Sequence, residues 1–421
     1  MKILAIETSC DETAVAVLDI SGDLGAPKVS VLGEALYSQA EKHAEFGGVY
    51  PNLAKREHQQ NLVPMLREAL GGGFAISNDE SLISKQDTNS RIQKEKIEMV
   101  ETILVREDVL REQTVSFLKE VGMPDIDAIA VTQGPGLEPA LWVGLNFAKA
   151  LSLAWGIPLV PVNHMEGHIL SVLVQNRKEI SNDESLISRQ LEFPAIALLV
   201  SGGHTQLVHA PELGTYTIIG DTRDDAVGEA FDKVARLLDL PYPGGPQISS
   251  LAEKTRPEHS HILENTRMTD TEKVSFPRPM INSNDYDFSY SGLKTAVRYF
   301  VEQRQPLSDE LKMEIAREFE DAAIEVLITK TRRALAEFTP KALIVGGGVI
   351  ANKHLRSELE KLIAEFPDIT LHLPTGKLAT DNAVMIGIAG ALHYQKHPQE
   401  FTVATADPTT IPAHGGLSLE K

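Results

Sequence analysis

Only one cysteine, Cys10, occurs in the 421 residues. No intramolecular disulfide can form, and such usage fits a reducing compartment. A lone cysteine reads first as a small buried apolar residue and only second as a catalytic thiol. No apolar run approaches the roughly 18 residues that a transmembrane helix needs. The first residues carry Lys2 and then Glu7, without the organisation of a signal peptide. The expectation is a soluble, cytoplasmic protein with no membrane partner. Basic residues are scarce: 40 Lys and Arg stand against 59 Asp and Glu, a formal net charge of −19. That balance argues against broad, unaided nucleic-acid binding, so a nucleic-acid substrate would need a local basic patch or basic partner proteins. Familiar nucleotide signatures are missing too. There is no Walker A motif; Ser291-Gly292-Leu293-Lys294-Thr295 echoes its end without the leading glycine. No G-x-G-x-x-G follows the first strand.

What is present is globular: 42% of residues are hydrophobic and 24% charged, with enough chain for two substantial lobes. Lys2–Ile6 and Ala14–Asp19 read as strands around a polar turn, Glu7–Thr13. A helix is expected from about Asn52 to Leu70. A strand over 127–132 leads through Gln133-Gly134-Pro135-Gly136 into a helix over about 139–155. Strands are expected at 158–162, 195–200 and 341–345, and helices at 222–239, 292–302 and 308–337, from about 351, and from about 380. Alternating strands and helices indicate an α/β protein, and the early strand-turn-strand indicates mixed sheets. Two segments look inserted. Ile76–Gln86 and Ile180–Gln190 match at ten of eleven positions, differing only at Lys85 and Arg189. Two polar copies do not make a solenoid, and they read as surface insertions. The charged stretch 72–120 reads as an extra surface helix or a partner contact.

The chemistry concentrates in His164-Met165-Glu166-Gly167-His168. Histidines four apart share one face of a helix and can place two nitrogens on one metal ion. Asn163 is a good N-cap, and Glu166 could close a capping box. Gly167 in a helix costs about 1 kcal/mol relative to alanine, which points to a close neighbour there. The zinc-protease signature is not met, because Met165 stands where that motif has its general-base glutamate. Thr380 is a plausible cap that would put Asp381 at a helix start. With His164 and His168, Asp381 would complete a two-histidine, one-carboxylate set suited to Fe2+ or Zn2+ with open positions. Three polar or glycine-rich turns, Glu7–Thr13, Ser201–Thr205 and Gly346–Gly348, follow apolar strands and could cradle phosphate. Asp224, Asp225, Glu229 and Asp232 form an acidic cluster, read as a solvated helix face or as hydrogen-bond acceptors for ribose. His43, His58, His204 and His354 have no comparable partner spacing.

Ten ordered motifs resemble the TsaD-type tRNA N6-adenosine threonylcarbamoyltransferases, a family once described as glycoprotein endopeptidases. They are ETSCDET at 7–13, HAEFGGVYPNLAKREH at 43–58, GPGL at 134–137, NHMEGH at 163–168 and LLVSGGHTQL at 198–207. The series continues with DDAVGEAFDKVARLL at 224–238, YPGGP at 242–246, FSYSGLKTAV at 288–297, GGGVIANKHLR at 346–356 and TDNAVMIG at 380–387. The resemblance implies a two-lobed α/β fold of the actin/Hsp70/sugar-kinase type, with mixed sheets flanked by helices and a ligand cleft between lobes. One lobe would comprise 1–162 plus 383–421, with an insertion at about 72–120. The other would comprise 163–382, carrying the metal and ligand motifs and an insertion at about 176–191. The resemblance places metal ligands at His164, His168 and Asp381, with one Fe2+ per subunit or alternatively Zn2+. It places substrate-binding positions at Leu199, Val200, Ser201, Gly202, Gly203, Asp232, Gly245 and Asn352. The implied reaction moves threonylcarbamoyl from threonylcarbamoyl-AMP to N6 of adenosine 37 in a tRNA anticodon loop. Glu12 or Asp11 is the expected acceptor of the amine proton. Implied partners are a paralogous non-catalytic subunit and a P-loop ATPase subunit, with a separate enzyme making the donor. Two positions depart from the family: Asn52 replaces a common glutamate, and Gln133 a small residue. A metalloprotease, a small-molecule kinase and a non-catalytic scaffold are the competing readings.

Overall fold

In the computed structural model of the chain, residues 1–22, 27–71, 86–176, 186–188, 190–256, 274–401 and 407–420 are described. The apolar N-terminal runs pair before any helix intervenes. β1 (Lys2–Glu7), β2 (Glu12–Ser21) and β3 (Lys28–Ser38) form an antiparallel meander, with Ile3 opposite Leu18. Four helices follow: α1 (Ala40–Ala44), α2 (Pro51–Gly71), α3 (Gln86–Ile103) and α4 (Asp108–Glu120). β4 (Ala128–Gly134) then joins β1 in parallel, and α5 (Glu138–Trp155) leads to β5 (Leu159–Asn163), parallel to β4. Next come α6 (His164–Leu170) and a short hairpin of β6 (Val174–Asn176) and β7 (Leu186–Ser188).

A second sheet repeats the plan. β8 (Ala195–Val200), β9 (Thr205–Glu212) and β10 (Thr215–Asp221) form its meander. After α7 (Val227–Leu237), α8 (Gly244–Glu253), α9 (Ser291–Glu302) and α10 (Asp309–Phe338), β11 (Ala342–Gly346) joins β8 in parallel. α11 (Lys353–Ile363) leads to β12 (Thr370–His372), and α12 (Ala383–Lys396) follows. The orders are β3-β2-β1-β4-β5 and β10-β9-β8-β11-β12. The mixed-sheet α/β plan is the one expected, and the structure adds that the same meander plus the same two parallel additions occurs twice. Central strands β1, β4, β8 and β11 are almost wholly buried, as helices on both faces require.

Helix α12 packs across β1, β2 and β4 and against α6. Small residues permit the approach. A Cβ added at Gly387 would lie 2.4 Å from Leu18 Cδ1, and one at Gly390 would lie 2.5 Å from Ala130 Cβ. Gly390→Ala is therefore expected to lower stability by about 1–3 kcal/mol through overpacking, measured by urea unfolding. An unchanged midpoint would mean the helix slides freely on the sheet.

The last described segment, 407–420, ties both sheets. Gln133 Nε2 donates to Pro412 O at 3.0 Å, and Ile218 N on β10 donates to Glu420 Oε1 at 2.7 Å. The departure at Gln133 thus has a local use.

Three expected boundaries shift, one because side chains find distant partners and two because an asparagine caps the helix. α7 starts at Val227 rather than 222, because Asp224 and Asp225 are drawn to α9 instead. Asn352 caps α11 after a 3-10 turn over Gly348–Ala351, so that helix begins at Lys353. Asn382, not Thr380, caps α12, its Oδ1 accepting from Met385 N at 2.9 Å. The described part of 72–120, expected as an extra surface helix or a partner contact, holds two helices, α3 and α4, with Phe117 of α4 buried. Most of both repeat copies, at 76–86 and 180–190, lies outside the described residues.

Candidate functional site

Asn163 ends β5 and caps α6, accepting from Met165 N at 2.9 Å and Glu166 N at 3.3 Å. That cap fixes His164 at the first helical position and His168 one turn on. No capping box closes: Glu166 instead accepts from Tyr216 OH at 3.0 Å and pairs with His393 Nε2 at 2.7 Å. The close neighbour expected at Gly167 is α12, with Ile386 and Met385 packed on it.

Asp381, just before the α12 cap, completes the cluster. Its Oδ1 lies 3.1 Å from His168 Nε2 and 3.4 Å from His164 Nε2. One donor atom from each of the three residues lies within 4.8 Å of the others. Behind them, His164 Nδ1 faces Glu7 Oε2 at 3.1 Å. Glu7, at the end of β1, also accepts from Ser9 N and Thr132 Oγ1. A carboxylate behind a metal-ligating histidine fixes its tautomer and turns Nε2 forward. His168 Nδ1 is buried with no hydrogen-bond partner among the described residues. Two imidazole nitrogens and one carboxylate oxygen converging from buried positions fit a divalent transition metal with open positions.

Charge in this cluster is tightly held. Burial would lower the pKa of His164, yet Asp381 and Glu7 together raise it well above normal. Burial would raise Asp381, but His164 and His168 hold it far below the carboxylate range. Nearby, burial and the two imidazoles push His204 down to about 4.

The polar turn between β1 and β2 brings Asp11 and Glu12 toward Asp381. Burial raises the pKa of both, and Glu12 is raised well above normal by burial and then by Asp11 and Asp381. At Glu12 the charge of Asp11 adds to burial, so ionising both carboxyls at once is disfavoured. Burial also pushes the Cys10 thiol up, which disfavours the thiolate a nucleophile needs.

Asp232, which feels the Asp11 charge, lines a cavity of about 980 Å³. Four of the eight expected substrate positions line it: Gly202, Asp232, Gly245 and Asn352. Leu199 and Val200 are fully buried in β8 and can offer backbone alone. Ser201 and Gly203 flank Gly202, and Ser201 Oγ accepts from His204 N at 3.0 Å. A Cβ at Gly202, Gly203, Gly245 or Gly348 would meet nothing within 4 Å, so these glycines leave backbone open to a ligand. At Gly346 a Cβ would lie 2.9 Å from His168 O, which sets this turn against the histidine helix. Asp232 accepts from Gly244 N at 2.7 Å and holds the start of α8. Asn352 Nδ2 donates to Ser249 Oγ and Glu320 Oε1, both at 2.8 Å.

The rest of the acidic cluster proves structural. Asp224 accepts from Tyr290 N at 2.7 Å and Ser291 N at 3.1 Å, occupying the start of α9. The Walker-like end at Ser291–Thr295 therefore has a carboxylate where a phosphate would sit. Asp225 lies outside the helix, paired with Lys233 and Lys294 at 2.8 Å. Sequence reasoning missed Glu7 as a member of the site. Its only signal is a charge closing the apolar run Ile3-Leu4-Ala5-Ile6.

The family model described as TsaD: tRNA N6-adenosine threonylcarbamoyltransferase matches residues 30–72 and 112–388. A curated relative of that name from Burkholderia thailandensis is 39% identical over 406 residues, covering 95% of this chain and 94% of its own. Another, from Bacillus subtilis strain 168, is 38% identical over 399 residues, covering 94% and 91%. Among solved structures, a ROK hexokinase from Thermus thermophilus aligns over 94% of this chain and 100% of its own, at 11% identity and a TM-score of 0.42. That likeness is too distant to carry an argument. Matched over most of its length by the family model and by relatives of like size, the chain belongs to the TsaD family of tRNA N6-adenosine threonylcarbamoyltransferases.

Proposed function

We propose that the protein transfers threonylcarbamoyl from threonylcarbamoyl-AMP to N6 of adenosine 37, forming t6A37 in tRNAs that read codons beginning with adenine. The observation that carries this reading is the cluster of His164, His168 and Asp381 donors, whose charge reaches Glu12, with Asp232 of the cavity wall close enough to feel Asp11. The open backbone at Gly202, Gly203 and Gly348 would receive phosphate or carbonyl oxygens, and Asp232 and Asn352 would fix the nucleoside end. The adenosine, presented on an unstacked loop, offers its amine to the carbamoyl carbon. The bond from that carbon to the phosphate oxygen breaks and AMP leaves with the electron pair. The amine proton passes to the Asp11–Glu12 pair. When bound to His164, His168 and Asp381, Fe2+ (or Zn2+) would act as a Lewis acid toward developing oxygen charge. Glu7 keeps His164 turned toward that position.

With a net charge of −19, the chain is expected to rely on partners for part of its RNA-binding surface. We place it in the cytoplasm with a paralogous non-catalytic subunit and a P-loop ATPase subunit. No helix among the described residues is long and apolar enough to cross a membrane. The test is transfer of labelled threonylcarbamoyl from its adenylate to tRNA by metal-loaded protein with the two partners. Label in t6A at position 37, confined to tRNAs reading codons that begin with adenine, is the expected result. A folded, assembled complex that leaves tRNA unlabelled would sink the proposal.

A further inference from the structure

The motif spanning His43 to His58 has no part in the chemistry above, yet its side chains reach the acidic turn from behind. His58, on α2, is fully buried. Its Nε2 lies 3.1 Å from Cys10 O, and its Nδ1 lies 2.8 Å from Thr13 Oγ1 and 3.3 Å from Gln39 Nε2. A carbonyl can only accept, so Nε2 carries the hydrogen and Nδ1 is the acceptor. The same logic extends backward. Gln39 Oε1 lies 3.1 Å from His43 Nε2, and His43 Nδ1 accepts from Tyr50 N at 3.2 Å. The donors therefore run one way, from the Tyr50 amide through His43, Gln39 and His58 to the Cys10 carbonyl. Gln39 adds a second hold, its backbone N–H donating to Asp11 O at 2.9 Å. Burial pushes the pKa of His58 down to about 4, so this single-tautomer chain persists at neutral pH.

Cys10 and Thr13 bracket Asp11 and Glu12. We propose that His58 is a positioning residue for transfer: by gripping the turn at residues 10 and 13 it holds the Asp11 and Glu12 carboxyls in one geometry toward the attacking amine. The proposal rests on the reading of Asp11 and Glu12 as the proton acceptors. A merely structural histidine would stabilise α2 against β2 and leave the turnover of folded protein unchanged.

Two shape-matched substitutions separate these roles. In His58→Asn the amide reaches the Nδ1 position and loses the donor to Cys10 O. In His58→Gln it reaches the Nε2 position and keeps that donor. In the reconstituted transfer reaction, kcat per folded protein should fall about 10–100-fold in His58→Asn, as for a displaced catalytic group. It should fall only within about fivefold in His58→Gln, with the KM for the donor and the metal content unchanged in both. Thr13→Val, which removes the hydroxyl, should follow His58→Asn, and Thr13→Ser should recover. If His58→Asn and Thr13→Val both fold and turn over within about twofold of the parent, the positioning role is wrong. Equal losses in His58→Asn and His58→Gln, tracking a lower unfolding temperature, overturn it as well. Asp11→Asn and Glu12→Gln run alongside. If these keep full kcat, the acid-pair reading fails and takes the proposal with it. If they lose kcat while His58→Asn does not, the positioning proposal alone fails.

Discussion

His168→Ala is expected to lose stoichiometric metal and to lower transfer by about 10³-fold or more. That is the upper range for removing one preorganised electrostatic contact, with loss of the ion itself added. The substitution removes one imidazole contact to Asp381, at 3.1 Å, and no partner of Nδ1 among the described residues. His164→Ala should match it in activity and differ in stability. It strips Glu7, which is fully buried, of the imidazole that faces it at 3.1 Å. A buried charge deprived of its partner costs about 3–5 kcal/mol, and the contacts from Ser9 and Thr132 would recover part of that. Metal content by elemental analysis and unfolding midpoints by calorimetry read the two effects separately. A His168→Ala protein that keeps its metal and its transfer rate would show that these donors do not form the centre. Equal stabilities of the two variants would show that Glu7 does not depend on His164.

Asp11→Asn and Glu12→Gln are expected to lower kcat by about 10²–10⁴-fold, the range for losing a positioned proton acceptor, with little change in the KM for the donor. Their effect on stability has the opposite sign. Burial and then the neighbouring Asp11 raise the folded-state pKa of Glu12 well above its ordinary value. The native state thus keeps a proton that the unfolded chain has already released. The associated stabilisation is complete at acid pH, below the ordinary glutamate range, and is lost as pH rises through the raised pKa. Glu12→Gln, which cannot ionise, should therefore unfold at a higher temperature than the parent above that pKa, while being nearly inactive. A variant that is both inactive and less stable there would mean the carboxylate holds the turn rather than serving the reaction.

The fold was legible where chemistry is local. Continuous apolar runs at β8 and β11, Asn163 before a helix, and polar turns after strands each announce themselves within about ten residues. The histidine pair was legible because helical spacing alone puts His164 and His168 on one face. Asp381 could be joined to them only as a candidate carboxylate that the family resemblance then singled out, since 213 residues separate it from His168. Glu7 was not legible as a site residue. A charge at the end of a strand also reads as the strand's boundary, and only the pairing of β1 with β4 brings Thr132 beside it. Asp224 was misread for a related reason. Four acidic residues spread over 224–232 resemble a solvated helix face, whereas the Asp224 carboxylate occupies the start of α9, 66 residues on. Thr380 lost to Asn382 as a cap by two positions, a margin that propensity cannot resolve.

The distance between His168 and Asp381 also has a meaning in time. At translation rates of about 5–20 residues per second, roughly 10–40 s pass between emergence of the histidine pair and of the aspartate. Through that interval β1, β4 and α6 can assemble, but the third donor and α12, which packs on all of them, do not yet exist. The centre is completed late in synthesis, so a ribosome-bound nascent chain can hold much of the folded framework and still be unable to act on tRNA.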